Sequence, residues 1–123
     1  MIKELTILSK MPTLNEFISA QNRNRYIGNA MKQKYTKIVQ LVALAEGFKC
    51  NDIKYNVEVT WYITNRRSDP DNIASGLKFI LDGLVKAKAI KNDGHKQIGS
   101  ITHHFKDSET NYSVIKLIPI NNK

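Results

Sequence analysis

The strongest structural constraint in this sequence is the recurrence of an apolar residue at every second position from Ile53 to Ile63, with polar residues at positions 54, 56, 58 and 60. Successive side chains of a strand point to opposite faces of a sheet, so the alternation predicts a half-buried strand. A strand with one apolar face is typical of the centre of an antiparallel sheet. We expect Trp61, which lies on the apolar face, to belong to the core rather than to stack on a nucleic-acid base.

Helical periodicity appears on both sides of this strand. Apolar residues recur at helical spacing from Met31 to Ala45, which predicts a helix of about four turns with one face against the sheet. Gly47 follows at the position where a left-handed residue commonly ends a helix. A second helical pattern begins at Asp71, and we expect Asp71 or Asn72 to cap its first turn.

The remaining segments complete a mixed sheet. Ile2–Leu8 predicts a first strand, and Leu14–Asn29, which has no steady period, predicts a loop that is partly mobile without a ligand. Ile98–Phe105 and Tyr112–Ile118 predict a closing β-hairpin. The expected fold class is therefore α/β (α+β), with a single domain over residues 1–123. We expect a mixed β-sheet and two main helices, in the order β-loop-α-β-α-β-β.

The charge of the chain favours a polyanionic partner. The formal net charge is +8 over 123 residues, and residues 21–40 hold five cations and no acid. Such a surface attracts nucleic acid or an anionic membrane. We expect no membrane partner, because no apolar face rich in Trp or Phe accompanies the basic segment and no run approaches the roughly 18 apolar residues of a span. A solvated basic face is the alternative interpretation.

The compartment is also constrained by the sequence. The single cysteine, Cys50, cannot form an intrachain disulfide, which is usual for a protein in a reducing environment. The first residues lack the basic, apolar and small-residue order of a signal peptide. We therefore expect a cytoplasmic protein.

Carboxylates are concentrated in residues 66–98 of this otherwise basic chain. Asp69 and Asp71 flank Pro70, which removes a donor and holds Asp69 extended. An extended Asp-x-Asp places both carboxylates on the same side of the backbone, where they can share a hard cation such as Mg²⁺. Asp93 follows in a turn after the second helix and can return to the same end of the sheet.

Each of these features also has a simpler structural interpretation. The Asp-Pro-Asp-Asn segment is a good turn followed by a good helix cap. Lys78 and Asp82, four residues apart on a helix, can form a surface ion pair. The Asn-Asp-Gly turn at Asp93 is ordinary turn chemistry. The metal-site hypothesis depends on the co-occurrence of these features in a protein with a large positive surplus.

The same segment resembles the motif of the RusA-type crossover junction endodeoxyribonucleases, which are Holliday junction resolvases. The family motif combines basic residues, Asp-x-Asp-Asn, a helix with a lysine and Asp-(Ala/Gly)-Leu, and a turn with an acid followed by Gln. The matching residues here are Arg66-Arg67, Asp69-Pro70-Asp71-Asn72, Lys78, Asp82-Gly83-Leu84, Asn92-Asp93 and Gln97-Ile98. Asn92 stands where a paired acid often sits in the family.

The resemblance implies a homodimeric, Mg²⁺-dependent nuclease with essential aspartates. By this likeness Asp69, Asp71 and Asp93 would be metal ligands and catalytic residues, and Lys78 would be an assisting cation. Asp82 and Asn72 match the motif and would have supporting roles.

The leading hypothesis is a structure-selective DNA endonuclease that resolves four-way junctions by paired symmetric nicks, with Mg²⁺ or, as a substitute, Mn²⁺. The expected partners are branched DNA and a second copy of the chain. The residues expected to hold the DNA backbone are Arg23, Arg25, Lys32, Lys34, Lys37, Arg66 and Arg67. Two alternatives stay open: a non-enzymatic basic nucleic-acid-binding domain, and a metal-dependent nuclease for another branched substrate.

Overall fold

A computed structural model describes residues 2–50 and 54–120. These residues contain four strands and four helices. Their order is β1 (Lys3–Ile7), α1 (Leu14–Arg23), α2 (Arg25–Ala45), β2 (Tyr55–Ile63), α3 (Pro70–Ala74), α4 (Leu77–Lys86), β3 (Ile98–Asp107) and β4 (Tyr112–Pro119). The strands form one mixed sheet in the order β1-β4-β2-β3, which confirms the α+β class. None of these helices is long and apolar enough to cross a membrane.

The strand β2 has the alternating burial that its sequence predicts. Its odd-numbered residues are buried, and the residues between them are half-buried. Trp61 is 4% exposed, so its assignment to the core is confirmed. The expected first residue of the pattern, Ile53, lies outside the described residues. β2 is an interior strand, since it pairs antiparallel with β4 and parallel with β3.

The prediction of a closing β-hairpin is wrong. The two strands are present as β3 and β4, but β2 lies between them and pairs with both. Thr60, for example, is paired with His104 on one side and with Val114 on the other. The short connection of residues 108–111 therefore passes over the end of β2 instead of closing a tight turn.

Residues 14–23, predicted to be a loop, form the helix α1. Thr13 and Glu16 explain the difference, because they form a capping box. The Glu16 amide donates to Thr13 Oγ1 at 3.2 Å, and the Thr13 amide donates to Glu16 Oε1 at 2.9 Å. Two donors of the first turn are thereby satisfied, which stabilises a helix whose apolar face is narrow. The N–H of Thr13 also lowers the pKa of the Glu16 carboxyl.

The helix α2 is longer than predicted and lies very close to α4. It begins at Arg25 rather than Met31, after Asn24 accepts a hydrogen bond from the Ile27 amide at 2.9 Å. It ends as expected before Gly47, which has a φ of +60°. A Cβ on Gly83 of α4 would lie 2.5 Å from the Val39 Cβ, so the two helices meet where α4 has no side chain.

The single helix predicted from Asp71 is divided in two. α3 ends at Ala74, and α4 begins at Leu77 after Ser75 and Gly76. Gly76 packs against core residues, and a Cβ there would lie 2.9 Å from Met11 Cβ and 3.1 Å from Trp61 Cη2. The break allows α4 to approach the sheet while α3 stays at its end.

We expect Gly83→Ala to lower the free energy of unfolding by about 2 kcal/mol, because the added methyl group overpacks the contact between α2 and α4. Urea denaturation followed by circular dichroism measures the change. Gly94→Ala is the matched control, since its new Cβ would have no neighbour closer than 3.5 Å. Equal stability of Gly83→Ala and wild type would contradict this description of the packing.

Candidate active site

The Asp69-Pro70-Asp71-Asn72 segment lies just beyond the C-terminal end of β2. Asp69 is extended, with φ −67° and ψ 155°, as expected for a residue before proline. Asp69 also occupies the N-cap position of α3, so the expectation that Asp71 or Asn72 caps this helix is wrong. The Asp69 side chain makes no capping hydrogen bond, and Pro70 is the first helical residue.

Asp71 is helical rather than extended, so the argument from strand alternation does not hold for this pair. Asp69 and Asp71 nevertheless line the same open pocket, which has a volume of about 270 Å³ and is called the acid pocket below. Both residues are exposed, and neither carboxylate has an ion-pair partner within residues 2–50 and 54–120. The other residues that line the acid pocket are Leu14, Asn15, Arg67, Ser68 and Asn72.

The start of α1 forms one wall of the acid pocket. The Asn15 amide donates to Asn72 Oδ1 at 2.9 Å, which connects α1 to α3 across 57 positions of sequence. Asn72 thus connects α3 to α1, and its supporting role at the site stays a prediction. The capping box at Thr13 holds Asn15 in the first turn of α1, and so it fixes this wall indirectly.

Lys78 is paired with Asp82 and does not line the acid pocket. The Lys78 Nζ and Asp82 Oδ1 atoms are 3.1 Å apart, and the Asp82 side chain is 22% exposed. The i,i+4 ion pair proposed as the simpler interpretation is therefore present. As an assisting cation, Lys78 stays a prediction.

Asp93 lies at the opposite end of β2 from the acid pocket. The Tyr55 hydroxyl, at the start of β2, donates to the Asn92 carbonyl at 3.0 Å. Burial raises the pKa of Tyr55 to about 12, and electrostatic interactions with Cys50 and Asp93 add to the shift. β2 is roughly 26 Å long at the usual rise per residue. The expectation that Asp93 returns to the same end of the sheet as Asp69 is therefore wrong.

The separation of these carboxylates affects the metal-site hypothesis directly. Among the residues that the structure describes, no three Asp, Glu, His or Cys side chains are grouped so that they could hold one metal ion. The acid pocket brings together Asp69 and Asp71 but not Asp93. Asp93, the third ligand predicted from the motif, does not line the acid pocket of its own chain. Its role as a metal ligand stays a prediction.

Asp93 lies instead in a basic groove between α2 and α4, with a volume of about 810 Å³. Lys32 and Lys37, two of the residues predicted to bind DNA, line this groove together with Asp82. Sequence reasoning missed Lys86, although it lies four positions after Asp82 on the same face of α4. The groove also contains the amide side chains of Asn29, Gln33 and Gln40.

The other predicted DNA-binding residues are distributed over the surface. Arg67 lines the acid pocket. Arg66 Nε is 3.0 Å from Asp107 Oδ1, in an exposed ion pair. Lys34 Nζ lies 5.2 Å from the centre of the Tyr35 ring. Arg23 and Arg25 are exposed at the junction of α1 and α2.

The sequence matches no protein-family model, and no curated protein matches it. The resemblance in residues 66–98 therefore stays a prediction.

A histidine accepts the hydrogen bond of the buried Trp61 indole. Trp61 Nε1 donates to His103 Nδ1 at 2.9 Å, and the two rings are stacked with centroids 6.1 Å apart. Burial lowers the pKa of His103, and the charge of His104 adds to the shift. A protonated ring cannot accept the indole hydrogen bond, because both of its nitrogens are then donors.

We expect the free energy of unfolding to fall as the pH is lowered from 7.5 to 5.5. The folded state binds a proton at His103 less readily than the unfolded state, so stability is complete above the ordinary histidine pKa and declines below it. His103→Gln should make the profile flatter in a series of urea denaturations. His95→Gln, at an exposed position, is the control, and an equal change in both variants would contradict this assignment.

Proposed function

We propose that this protein is a Mg²⁺-dependent, structure-selective DNA endonuclease that resolves four-way junctions by paired symmetric nicks in recombination and repair. One observation carries the proposal. Two exposed carboxylates without partners among the described residues share a pocket with Arg67, in a chain of net charge +8. A basic protein that exposes two adjacent acids beside an arginine has the groups needed to hold a cation against a phosphate.

The donors of the acid pocket fit Mg²⁺. Mg²⁺ commonly takes one or two carboxylates and fills its remaining positions with water and substrate phosphate, and Asp69 and Asp71 supply two. Asn15 adds an amide side chain at the rim. When bound, the ion would supply Lewis-acid activation of a water molecule and neutralisation of the phosphate. Mn²⁺ has the same preference for oxygen ligands and is the expected substitute.

The chain's own cations hold the DNA in this proposal. Arg67, at the acid pocket, pairs with a phosphate next to the carboxylates and reduces their repulsion of the strand. Lys32, Lys37 and Lys86 of the basic groove contact the backbone farther along. Hydrolysis breaks the bond between phosphorus and the 3′ oxygen, so the products carry a 5′-phosphate and a 3′-hydroxyl. Binding through these cations is independent of sequence and weakens with salt.

A symmetric dimer is part of the proposal. Each chain has one acid pocket, and two symmetric cuts in a four-way junction need two such pockets related by a two-fold axis. In this proposal Asp93, which is remote from the acid pocket of its own chain, would complete the acid pocket of the other chain. The lone cysteine fits a cytoplasmic location for this activity.

Two other functions remain candidates, and each predicts a different result. A non-enzymatic nucleic-acid-binding domain would bind junctions through the basic groove and leave them uncut in Mg²⁺ and Mn²⁺. A nuclease for another branched substrate would cut flaps or single-stranded segments in preference to four-way junctions. A panel of these substrates, with EDTA as the metal-free control, separates all three.

We expect Asp71→Asn to reduce the rate of junction cleavage by about 100-fold or more, because the change removes a ligand charge. Junction affinity in a gel-shift assay should be unchanged or higher, since a carboxylate repels phosphate. Glu109→Gln, an exposed acid in the β3–β4 connection, is the control and should cleave like wild type. A large loss of junction affinity in Asp71→Asn would point to a structural role instead.

Mixing two inactive variants tests whether the site is shared between chains. We expect Asp71→Asn and Asp93→Asn each to lose cleavage as homodimers. A mixed dimer would contain one acid pocket with every carboxylate and one with neither Asp71 nor Asp93, so it should cut only one strand of the junction. A nicking assay with labelled strands distinguishes single from paired cuts. Wild-type cleavage by Asp93→Asn alone, or no nick from the mixture, would contradict a shared site.

A further inference from the structure

A second, smaller pocket adjoins the acid pocket and is not used in the mechanism above. It has a volume of about 70 Å³ and lies beyond the end of β2, between the β1–α1 connection and the segment that leads to Asp69. Ser68 lines both pockets, so they are neighbours. We call it the Ser113 pocket. Its polar lining includes Ser9, Lys10, Asn65, Ser68 and Ser113, and its apolar lining includes Met11, Trp61, Ile63 and Ile73.

The buried wall of this pocket has a hydroxyl without a partner. Ser113 is 1% exposed, and Ser113 Oγ makes no hydrogen bond to any residue that the structure describes. In β4 the residue lies opposite Trp61 and Ile7, on the face of the sheet that the helices cover. A buried hydroxyl without a hydrogen bond destabilises the folded state. Ser113 lines the pocket but its Oγ has almost no accessible surface, so a ligand there would accept this bond only after the side chain turns toward it.

The polar side chains of the Ser113 pocket are suited to an anion. Ser9 and Ser68 add hydroxyl groups, Asn65 adds an amide and Lys10 adds a positive charge. Lys10 has no carboxylate within ion-pair distance in the described ranges, although its charge contributes to the lowered pKa of Glu16. No Asp or Glu of the described chain lines this pocket. Several donors with one cation and no carboxylate favour a negatively charged ligand.

The size of the pocket restricts the ligand to a small group. Each molecule of liquid water occupies roughly 30 Å³, so a pocket of this volume has room for about two. One tetrahedral oxyanion needs a similar space, so a phosphate group is small enough for the pocket.

We propose that the Ser113 pocket binds a phosphate group, and that in the DNA complex this group is the phosphodiester next to the one at Asp69 and Asp71. The first part depends only on the pocket. The second part rests on the proposed endonuclease function and on the shared wall at Ser68. Holding the neighbouring phosphate would fix the register of the strand, so that a single phosphate lies against the carboxylates.

Phosphate binding can be measured without any cleavage. Trp61 is the only tryptophan in the chain and lines the pocket, so its fluorescence reports occupancy. We expect a saturable change when inorganic phosphate is titrated into the full chain, with chloride keeping the ionic strength constant. Ser113→Ala should raise the half-saturating phosphate concentration about tenfold, the usual effect of losing one hydrogen bond to a charged group.

Two further variants control this titration. Lys10→Gln should also weaken phosphate binding, and because Lys10 is exposed, the change should leave the stability of the fold nearly unchanged. Ser19→Ala, on the exposed face of α1 and outside the pocket, should bind phosphate like wild type. If phosphate and chloride change the fluorescence equally, or if Ser113→Ala leaves the half-saturation point unchanged, the pocket holds water only and the proposal is overturned.

The source of the phosphate is tested with modified DNA. Four-way junctions are prepared with one uncharged methylphosphonate at each position flanking the cut. We expect one flanking position to slow wild-type cleavage about tenfold and to have no additional effect on Ser113→Ala. Equal slowing of both proteins at every position, with saturable inorganic phosphate binding, would assign the pocket to a free phosphate. No cleavage of the unmodified junction would overturn the endonuclease function, and the titration alone would then decide the anion site.

Discussion

The parallel pairing of β2 with β3 determines where the chemistry of this chain can lie. Parallel strands cannot be joined by a tight turn, so the chain must travel back along the sheet between Ile63 and Ile98. The helices α3 and α4 make this return and cover the apolar face of β2. Groups at the start of the crossing therefore lie one strand length away from groups at its end. That separation places Asp69 and Asp93 at opposite ends of the sheet.

Local patterns predicted the elements whose formation depends on neighbouring residues. The alternation in β2 and the left-handed Gly47 need only a few adjacent positions, and both are as expected. The helix α1 also had a local signal, the Thr13 and Glu16 capping box, which a search for apolar periodicity overlooks because Ala20 is the only buried residue of that helix. Attention to capping residues as well as hydrophobic period would have predicted α1.

The pairing of strands and the assembly of the pockets could not be predicted in the same way. Two consecutive strands with a short connection usually form a hairpin, and nothing in the sequence of β3 or β4 indicates that β2 lies between them. The contact between Asn15 and Asn72 joins residues 57 positions apart. The Ser113 pocket likewise depends on the register that sets Ser113 opposite Trp61. Each is a consequence of tertiary packing rather than of local propensity.

The structure supports the ion-pair interpretation of Lys78 and Asp82 better than the helix-cap interpretation of Asp69. A carboxylate that served only as a helix cap would accept a hydrogen bond from the first turn, as Thr13 does in α1. Asp69 stands at the capping position of α3 without making that bond. Lys78, by contrast, is paired with Asp82 in the way a surface helix pair would be. The cap interpretation therefore loses its main support at Asp69, while the ion-pair interpretation accounts fully for the contact that Lys78 makes.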